Sequence, residues 1–406
     1  MADFHQNGSV ATLHNLAQIP FEQLEAQLKQ FAKTRKITLI LPSLYSELEA
    51  PALSNIVDEL SKADFVNHIV IGLDRADETQ FKHAKEYFSR LPQKHDVLWN
   101  DGPRLKSIHE KLAGANLAPE EPGKGRNVWY CMGFALASGN SDVVALHDCD
   151  ITTYSKEMLA RLVYPVTNPA FAYHFVKGYY PRIADGKING RVSRLLVTPL
   201  LLAIQKTCGH NDYIDYLNAF RYPLAGEFAM RTSILPDMRI PSDWGLEIGV
   251  LSEVWRNLSN RVICQVDISD AYDHKHQPLS EEDANAGLSR MSIDISKALY
   301  RKLATDGVTL SNATFRTLKA TYFRIALDLV EMYYNDATMN GLHTDRHVEE
   351  KAVELFAANI MKAGQSYLDN PMETPFIPNW SRIQAADPDV LLNIQKAVQQ
   401  DATEFG

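Results

Sequence analysis

The sequence predicts an α/β fold: a mostly parallel sheet with flanking helices, followed by an all-helical C-terminal extension. Three observations carry this expectation. Short β-branched runs at 37–41 and 68–73 alternate with helical periodicities. An apolar run from Val143 to Leu146 stops abruptly at His147-Asp148-Cys149-Asp150, as a buried strand does. From residue 280 onward only helical signals remain. Strand, helix, strand, helix, strand in that order implies parallel strands joined by right-handed crossovers.

Taken in order, the first twenty or so residues read as a polar tail, or as an arm packing on a partner. Pro20 can start a helix that puts Phe21, Leu24, Leu28 and Phe31 on one face. The first buried strand, 37–41, runs into a loop at Pro42-Ser43-Leu44-Tyr45-Ser46-Glu47. Leu53, Ile56, Val57 and Leu60 mark the helix behind it. A second strand ends at Asp74-Arg75-Ala76-Asp77, a helix spans Phe81 to Phe88, and a third strand lies near Val97-Leu98-Trp99. A loop rich in Pro, Gly and acid then leads into a helix through Trp129, Met132 and Leu136. Beyond the D-x-D, strands are expected at 170–180, near Phe228 and at 261–266. Helices are expected at 191–205 and from about Trp244 to Leu258. In the extension, Leu318, Tyr322, Ile325, Leu329 and Met332 keep a 4-3-4-3 spacing, as do Val353, Phe356, Ile360, Ala363 and Tyr367. Such stripes suit packing onto the α/β domain or an oligomerisation face.

Composition narrows the function. A hydrophobic content of 45% with 22% charged residues is that of a soluble globular chain. The net charge of -9 argues against a nucleic-acid surface. No apolar run approaches the ~20 residues that span a bilayer, and no signal-peptide pattern opens the chain. A cytoplasmic location and no membrane partner are expected. Cys131, Cys149, Cys208 and Cys264 are scattered, which favours free thiols over disulfides or a zinc site.

The D-x-D lies where open α/β sheets bind ligands, beyond the carboxyl ends of the strands. Two carboxylates separated by one residue can hold a divalent cation together with nucleotide phosphates. Asp150 could equally cap the helix that begins near Lys156, and both acids could sit in a solvated turn. Lys124, between Gly123 and Gly125, could bring a point charge to a phosphate where the backbone approaches closely, or be an ordinary loop lysine. Arg191 after Gly190 offers a planar fork for an oxyanion, or is an ordinary surface arginine capping a loop, and Arg194 and Lys177 could add positive charge there.

Seven stretches, in this order, sharpen the reading: Leu41-Pro42-Ser43-Leu44, Pro122-Gly123-Lys124-Gly125, Asp148-Cys149-Asp150, Gly190-Arg191-Val192, Pro223-Leu224-Ala225-Gly226-Glu227, Gly245-Leu246-Glu247-Ile248-Gly249 and Asp273-His274. The ordered set resembles the glucosyl-3-phosphoglycerate synthases, retaining nucleotide-sugar glycosyltransferases of the GT-A fold. The resemblance covers about residues 36 to 280. It implies an N-terminal arm and helix at 1–35 and a catalytic domain at 36–280, with the helical region at 281–406. Within the catalytic domain, 36–153 would take the nucleotide sugar and 154–280 the acceptor.

The resemblance also implies roles. Asp150 and His274 would hold Mg²⁺ or Mn²⁺, with Asp148 nearer the ribose or a metal-bound water. Pro42, Ser43, Leu44, Ser46, Glu47, Asp74, Lys124, Cys149 and Glu227 would complete the donor site. The family often has an acid two positions after the Leu; here Ser46 stands there and the acid is Glu47. The family pattern Asp-Ser-Gly-Ser is replaced by Asp74-Arg75-Ala76-Asp77. Gly190, Arg191, Ser193 and His276 would bind 3-phosphoglycerate. Glu247 would lie near the acceptor hydroxyl and the sugar, with the Leu224 carbonyl region positioning that hydroxyl. The expected reaction is transfer of glucose, with retention, from a nucleoside diphosphate sugar such as UDP-glucose. The product would be a precursor of the compatible solute glucosylglycerate. A homodimer is the resemblance-based expectation.

Rivals are mannosyl transfer from GDP-mannose and transfer to unphosphorylated glycerate. Sugar nucleotidyl transfer usually needs a Gly-rich, Arg-bearing loop where this chain has Pro42-Ser43-Leu44-Tyr45. A nucleotide-sugar binding protein would not need both a metal site and an anion site at Arg191.

Overall fold

The computed structural model describes residues 6, 8–16, 18–119, 121–274, 287–371, 373 and 376–405. The strands are β1 (Ala11–Leu13), β2 (Ile37–Leu44), β3 (His68–Asp74), β4 (Lys94–Trp99), β5 (Val143–Leu146), β6 (Phe175–Tyr179), β7 (Ile183–Ala184), β8 (Lys187–Ile188), β9 (Phe228–Arg231) and β10 (Ile263–Asp267). Eight of them form one sheet in the order β1-β10-β6-β9-β5-β2-β3-β4, and β7 and β8 form a small hairpin. The neighbours from β5 through β4 run parallel, as do β1, β10 and β6. Only β9 is reversed, pairing antiparallel with both β5 and β6.

Helices α1 (Phe21–Phe31), α2 (Pro51–Leu60), α3 (Glu78–Phe88) and α4 (Pro103–Gly114) are followed by α5 (Lys124–Ser138) and α6 (Lys156–Thr167). Helices α7 (Thr198–Cys208), α8 (Asp212–Ala219) and α9 (Leu246–Asn257) complete the α/β part. The extension holds α10 (Gly287–Thr305), α11 (Asn312–Met339), α12 (Arg346–Asp369), α13 (Trp380–Ala386) and α14 (Val390–Glu404). The sheet divides two cores. One packs α2, α3 and α6 against residues such as Leu39, Leu41, Ile69 and Ile71. The other packs α5, α7, α9 and the extension against Ile40, Val70, Val144 and Phe175. Consecutive strand residues face opposite cores because side chains alternate across a strand.

Local chemistry explains the boundaries. Asp77 and Gln80 close a capping box at the start of α3. Gly139, with φ of 61°, ends α5 in the left-handed conformation that a Cβ disfavours. A Cβ on Gly72 would lie 1.7 Å from Asn127 Oδ1, so glycine lets α5 reach the sheet. There Asn127 Nδ2 donates to the Gly72 carbonyl at 2.8 Å.

Four expectations are corrected. Pro42-Ser43-Leu44 is not loop but the end of β2, paired with Gly72, Leu73 and Asp74. Proline is tolerated because β5 pairs only up to Ile40, so the missing N–H faces a side with no ladder left. Within the opening segment Ala11–Leu13 is no tail: β1 adds parallel to β10, and Gln265 Nε2 donates to Thr12 Oγ1 at 2.9 Å. The strand expected at 170–180 is confined to Phe175–Tyr179. The helix expected at 191–205 begins as a π-helical turn, Val192–Val197, before α7.

The extension is not a satellite. A Cβ on Gly133 would lie 2.3 Å from Trp380, so this glycine admits the indole against α5. Trp380 stacks on Trp129 at 4.2 Å, and each indole N–H donates to a backbone carbonyl of the other's segment. The four cysteines are free thiols. No helix among the described residues is long and apolar enough to cross a membrane.

Candidate active site

The strand β5 is fully buried, and it delivers the D-x-D to the carboxyl end of the sheet. Lys124 enters from the first turn of α5 and binds both acids nearest to it. Its Nζ lies 2.7 Å from Asp148 Oδ1 and 3.1 Å from Glu247 Oε1, in the first turn of α9. A Cβ on Gly125 would lie 2.1 Å from the Pro241 carbonyl, so glycine is required for α5 to start here. Gly226 has the same role on the other side: a Cβ would lie 2.6 Å from Asp148 Oδ2.

The two acids of the D-x-D differ. Burial raises the Asp148 carboxyl, but the Lys124 ammonium outweighs it and holds the group below the usual range. Asp150 has no such partner. Burial first, then the neighbouring Asp148, pushes it up to about 7. Its Oδ1 is buried without a hydrogen bond among the described residues, 3.9 Å from His274 Nδ1. His274 returns to the D-x-D because the segment after β10 forms an antiparallel bridge between Ile151 and His274. Thr152 N also donates to the Asp273 carbonyl at 2.9 Å.

Glu227 is fully buried and accepts from Tyr180 Oη at 2.5 Å and Tyr272 Oη at 2.7 Å. These two rings stack at 3.7 Å. Burial, then Asp148, raises the Glu227 carboxyl despite its hydroxyl donors. Lys177, on β6, is also fully buried. Its ammonium has no hydrogen-bond partner among the described residues and lies 5.5 Å from the Phe228 ring centre. Desolvation pulls it down to about 8, against the pull of Glu247 and Glu227.

A divalent cation fits this set. Four carboxyl groups, Asp148, Asp150, Glu227 and Glu247, meet only two ammonium groups, Lys124 and Lys177, and the raised Asp150 and Glu227 carboxyls are acids whose charge a bound cation would favour. The orphaned Asp150 oxygen beside an imidazole is the natural pair of ligands. A second trio, His210, Asp212 and Asp215, comes together at the start of α8. It is largely exposed and already joined by ion pairs at 3.0 and 3.1 Å, so it has no bearing on this site.

The remaining residues divide as follows. Ser43 and Cys149 are buried under the site, while Leu44 and Ser46 are exposed at its rim, beside half-buried Pro42 and Glu47. Asp74 is buried, taking Asn100 Nδ2 at 2.9 Å and Arg126 at 3.3 Å. The residue after it, Arg75, has φ of 57°, and its N–H donates to Asp101 at 2.5 Å. Leu224 ends the turn before Ala225 and is nearly buried. Gly190, Arg191 and Ser193 form a separate group at the π-helical turn, with φ of 77° at Gly190. Ser193 Oγ is buried with no hydrogen bond among the described residues. Arg194 is not a spare cation, because Glu349 of α12 pairs with it at 2.6 Å. His276 lies outside the described residues.

Sequence reasoning misses Tyr180, Tyr272, Arg182 and Glu349. Arg182 donates to Tyr222 Oη at 3.1 Å and lies over the Tyr272 ring. It links the π-helical turn to the Glu227 cluster. The legible signals are the aromatic pair before Pro181 and the tyrosine before Asp273-His274; no signal points to Glu349.

The mostly parallel sheet with this charge cluster at its carboxyl edge is a nucleotide-binding α/β arrangement, and the full-length relatives make it a glycosyltransferase of the GT-A class. The glucosyl-3-phosphoglycerate synthase of Persephonella marina is 42% identical over 404 residues, covering 100% of both chains. That of Methanococcoides burtonii is 39% identical, covering 99% of each. The chain therefore belongs to the glucosyl-3-phosphoglycerate synthase family. No family model matches it. Among solved structures, the Mycobacterium tuberculosis glucosyl-3-phosphoglycerate synthase with Mn²⁺, UDP-glucose and phosphoglyceric acid has a TM-score of 0.53 at 24% identity, covering 75% of this chain and 89% of that one. The mannosyl-3-phosphoglycerate synthase of Rubrobacter xylanophilus has a TM-score of 0.53 at 20% identity, covering 73% and 82%. At these identities the two structures establish the fold.

Proposed function

We propose that this enzyme transfers glucose from UDP-glucose to 3-phosphoglycerate with retention, giving glucosyl-3-phosphoglycerate, a precursor of the compatible solute glucosylglycerate. The carrying observation is the Lys124-Asp148-Glu247 cluster beside the orphaned Asp150 carboxylate and His274. Full-length likeness to synthases of that name supports the substrate pair, as does a fold relative solved with Mn²⁺, UDP-glucose and phosphoglyceric acid.

In this reading Asp150 and His274 hold Mg²⁺ or Mn²⁺, and Asp148 lies nearer the ribose. A divalent cation held there would supply neutralisation of the charge that grows on the departing diphosphate. Lys124 leaves its carboxylates in part to donate to the same diphosphate. Pro42, Ser43, Leu44, Ser46 and Glu47 border the base, with Asp74 and Cys149 below. Glu227, fixed by two tyrosines, and Glu247 border the sugar. Arg191 and Ser193, after Gly190, take the phosphate and carboxylate of the acceptor, with His276 as a further acceptor residue. The Leu224 carbonyl accepts from the acceptor hydroxyl and orients it. The bond from the sugar's anomeric carbon to phosphate oxygen breaks, the bond to the acceptor oxygen forms on the same face, and the acceptor proton passes to the departing phosphate. Positioning and fixed charge are the protein's main contributions. Residues 36–153 serve the donor and 154–280 the acceptor, and the helical region 281–406 buttresses both. The working unit is a cytoplasmic homodimer.

The test is incubation with UDP-glucose, GDP-mannose and other sugar nucleotides, against 3-phosphoglycerate and glycerate, with Mg²⁺ or Mn²⁺. Glucosyl-3-phosphoglycerate should form fastest from UDP-glucose. Faster transfer from GDP-mannose, or to glycerate, would replace the substrate assignment. No transfer and no nucleotide release from any donor would remove the catalytic one.

A further inference from the structure

The π-helical turn that carries Arg191 and Ser193 divides its polar groups into two sets. Ser193 Oγ is buried without a hydrogen bond among the described residues. Arg194, in the same turn, is fully engaged. Its Nε donates to the Asn189 carbonyl at 2.9 Å and its NH2 to the Ile188 carbonyl at 3.3 Å. The same guanidinium meets Glu349 with both outer nitrogens, at 2.6 and 3.4 Å, and its carbon lies 4.7 Å from the Tyr333 ring centre. Both side chains of the pair are under 10% exposed, at 9% and 7%. Glu349 sits in the first turn of α12, where the helix dipole favours an anion.

Arg194 thus grips the two carbonyls immediately before Gly190 and anchors them to the extension. Two more contacts reach the same segment. Tyr322 Oη on α11 donates to the Leu195 carbonyl at 2.5 Å, and His343 N donates to the Gly186 carbonyl at 2.7 Å. The turn itself is a wide, uncommon helical geometry that recurs at functional sites and needs its surroundings to hold it.

We propose that Arg194 is a positioning residue and Glu349 its anchor, so that the C-terminal helices set the geometry of the acceptor turn and with it acceptor affinity. This rests on the assignment of Arg191 and Ser193 to the acceptor. The arginine's fork is essential, because its three nitrogens reach two carbonyls and both Glu349 oxygens, four acceptors that a lysine's single nitrogen cannot span.

The experiment uses the full-length chain as wild type, Glu349→Gln, Arg194→Lys and Arg191→Ala, with UDP-glucose, 3-phosphoglycerate and Mn²⁺. In Glu349→Gln and Arg194→Lys the acceptor KM should rise about tenfold, while kcat and the donor KM stay within about twofold. Hydrogen exchange of the amides at 183–197 should quicken in both variants without any substrate present. A fall in Tm with acceptor KM and exchange unchanged would make the pair a structural strut only and overturn the proposal. An equal loss of UDP affinity would overturn it too. Failure of the acceptor assignment is separately visible: wild type would not use 3-phosphoglycerate, or Arg191→Ala would keep its acceptor KM. Should Glu349→Gln fail to fold, Arg194→Lys, which keeps the charge, decides by the same two readouts.

Discussion

The donor and acceptor sides of this site settle their charges in opposite ways. On the donor side the cation at the mouth, Lys124, is held by Asp148 and Glu247, and the unsatisfied group is a carboxylate, Asp150. On the proposed acceptor side Glu349 is consumed by Arg194, and Arg191 and Ser193 of the same turn stand outside that pair. In the proposed reading one side receives a cation and the other an anion. Charge balance, more than the count of charges, sets what each side can take. It also separates their supports: donor residues ride on β5 and the first turns of α5 and α9, while the acceptor turn leans on α11 and α12.

Loss of the metal-facing carboxylate has the largest expected effect. Asp150→Ala should lower kcat/KM by roughly 10³-fold and remove the dependence on added metal, read from initial rates across a Mn²⁺ titration with circular dichroism as a check on folding. Retained metal-dependent activity would mean the orphaned oxygen is not a ligand. From the acceptor side, Arg191→Ala should raise the 3-phosphoglycerate KM roughly 100-fold and leave UDP binding alone. A change confined to UDP binding, seen by calorimetry, would exchange the two sides.

Proton competition sharpens the contrast. Asp150, held up to about 7 by burial and then by Asp148, keeps a proton in the native state that an unfolded carboxyl loses near 4. A metal must displace that proton, so apparent Mn²⁺ affinity should fall about tenfold per pH unit below 7. Calorimetry over that range would show it, and Asp150→Asn should lose both the affinity and the trend. The sign for stability is the reverse of the usual carboxylate: without metal, stability falls as pH rises from about 4 to about 7, because the native state holds the extra proton in that window. Thermal scans without metal should show wild type losing stability there relative to Asp150→Asn.

The smallest effect is a gain. Lys177 is fully buried and its ammonium lacks a hydrogen bond among the described residues. Replacing it by methionine removes a desolvated charge, so Lys177→Met should raise Tm by a few degrees while lowering activity. A fall in Tm would show that the ammonium stabilises the carboxylates around it more than its own burial costs.

Much of the donor side is legible in the amino-acid sequence. The apolar run ending in Asp148-Cys149-Asp150 announces a buried strand and its ligand edge. Lys124 between glycines announces a close approach, and the structure supplies the atoms behind it, the Pro241 carbonyl against Gly125. These signals are local, so a sequence can display them. The acceptor side is less legible. Gly190-Arg191 is visible, but the π-helical turn is not, because its periodicity over six residues resembles an ordinary helix start. Arg194 reads as a free cation because its partner lies 155 residues further on. Pro42 reads as a strand breaker because a one-dimensional view cannot show that β5 has already ended beside it.

The sequence by itself determined the alternation of strands and helices, the acids at the end of β5, the unpaired thiols and the helical extension, since each depends on residue type and short spacing. Tertiary structure alone decided that β9 is reversed, that Asp150 is left without a hydrogen bond while Asp148 is held by Lys124, and that Glu349 removes Arg194 from the pocket. The physical reason is range. Periodicity and turn chemistry act over a few residues, whereas burial, desolvation and charge pairing depend on which distant groups the fold brings within a few ångströms.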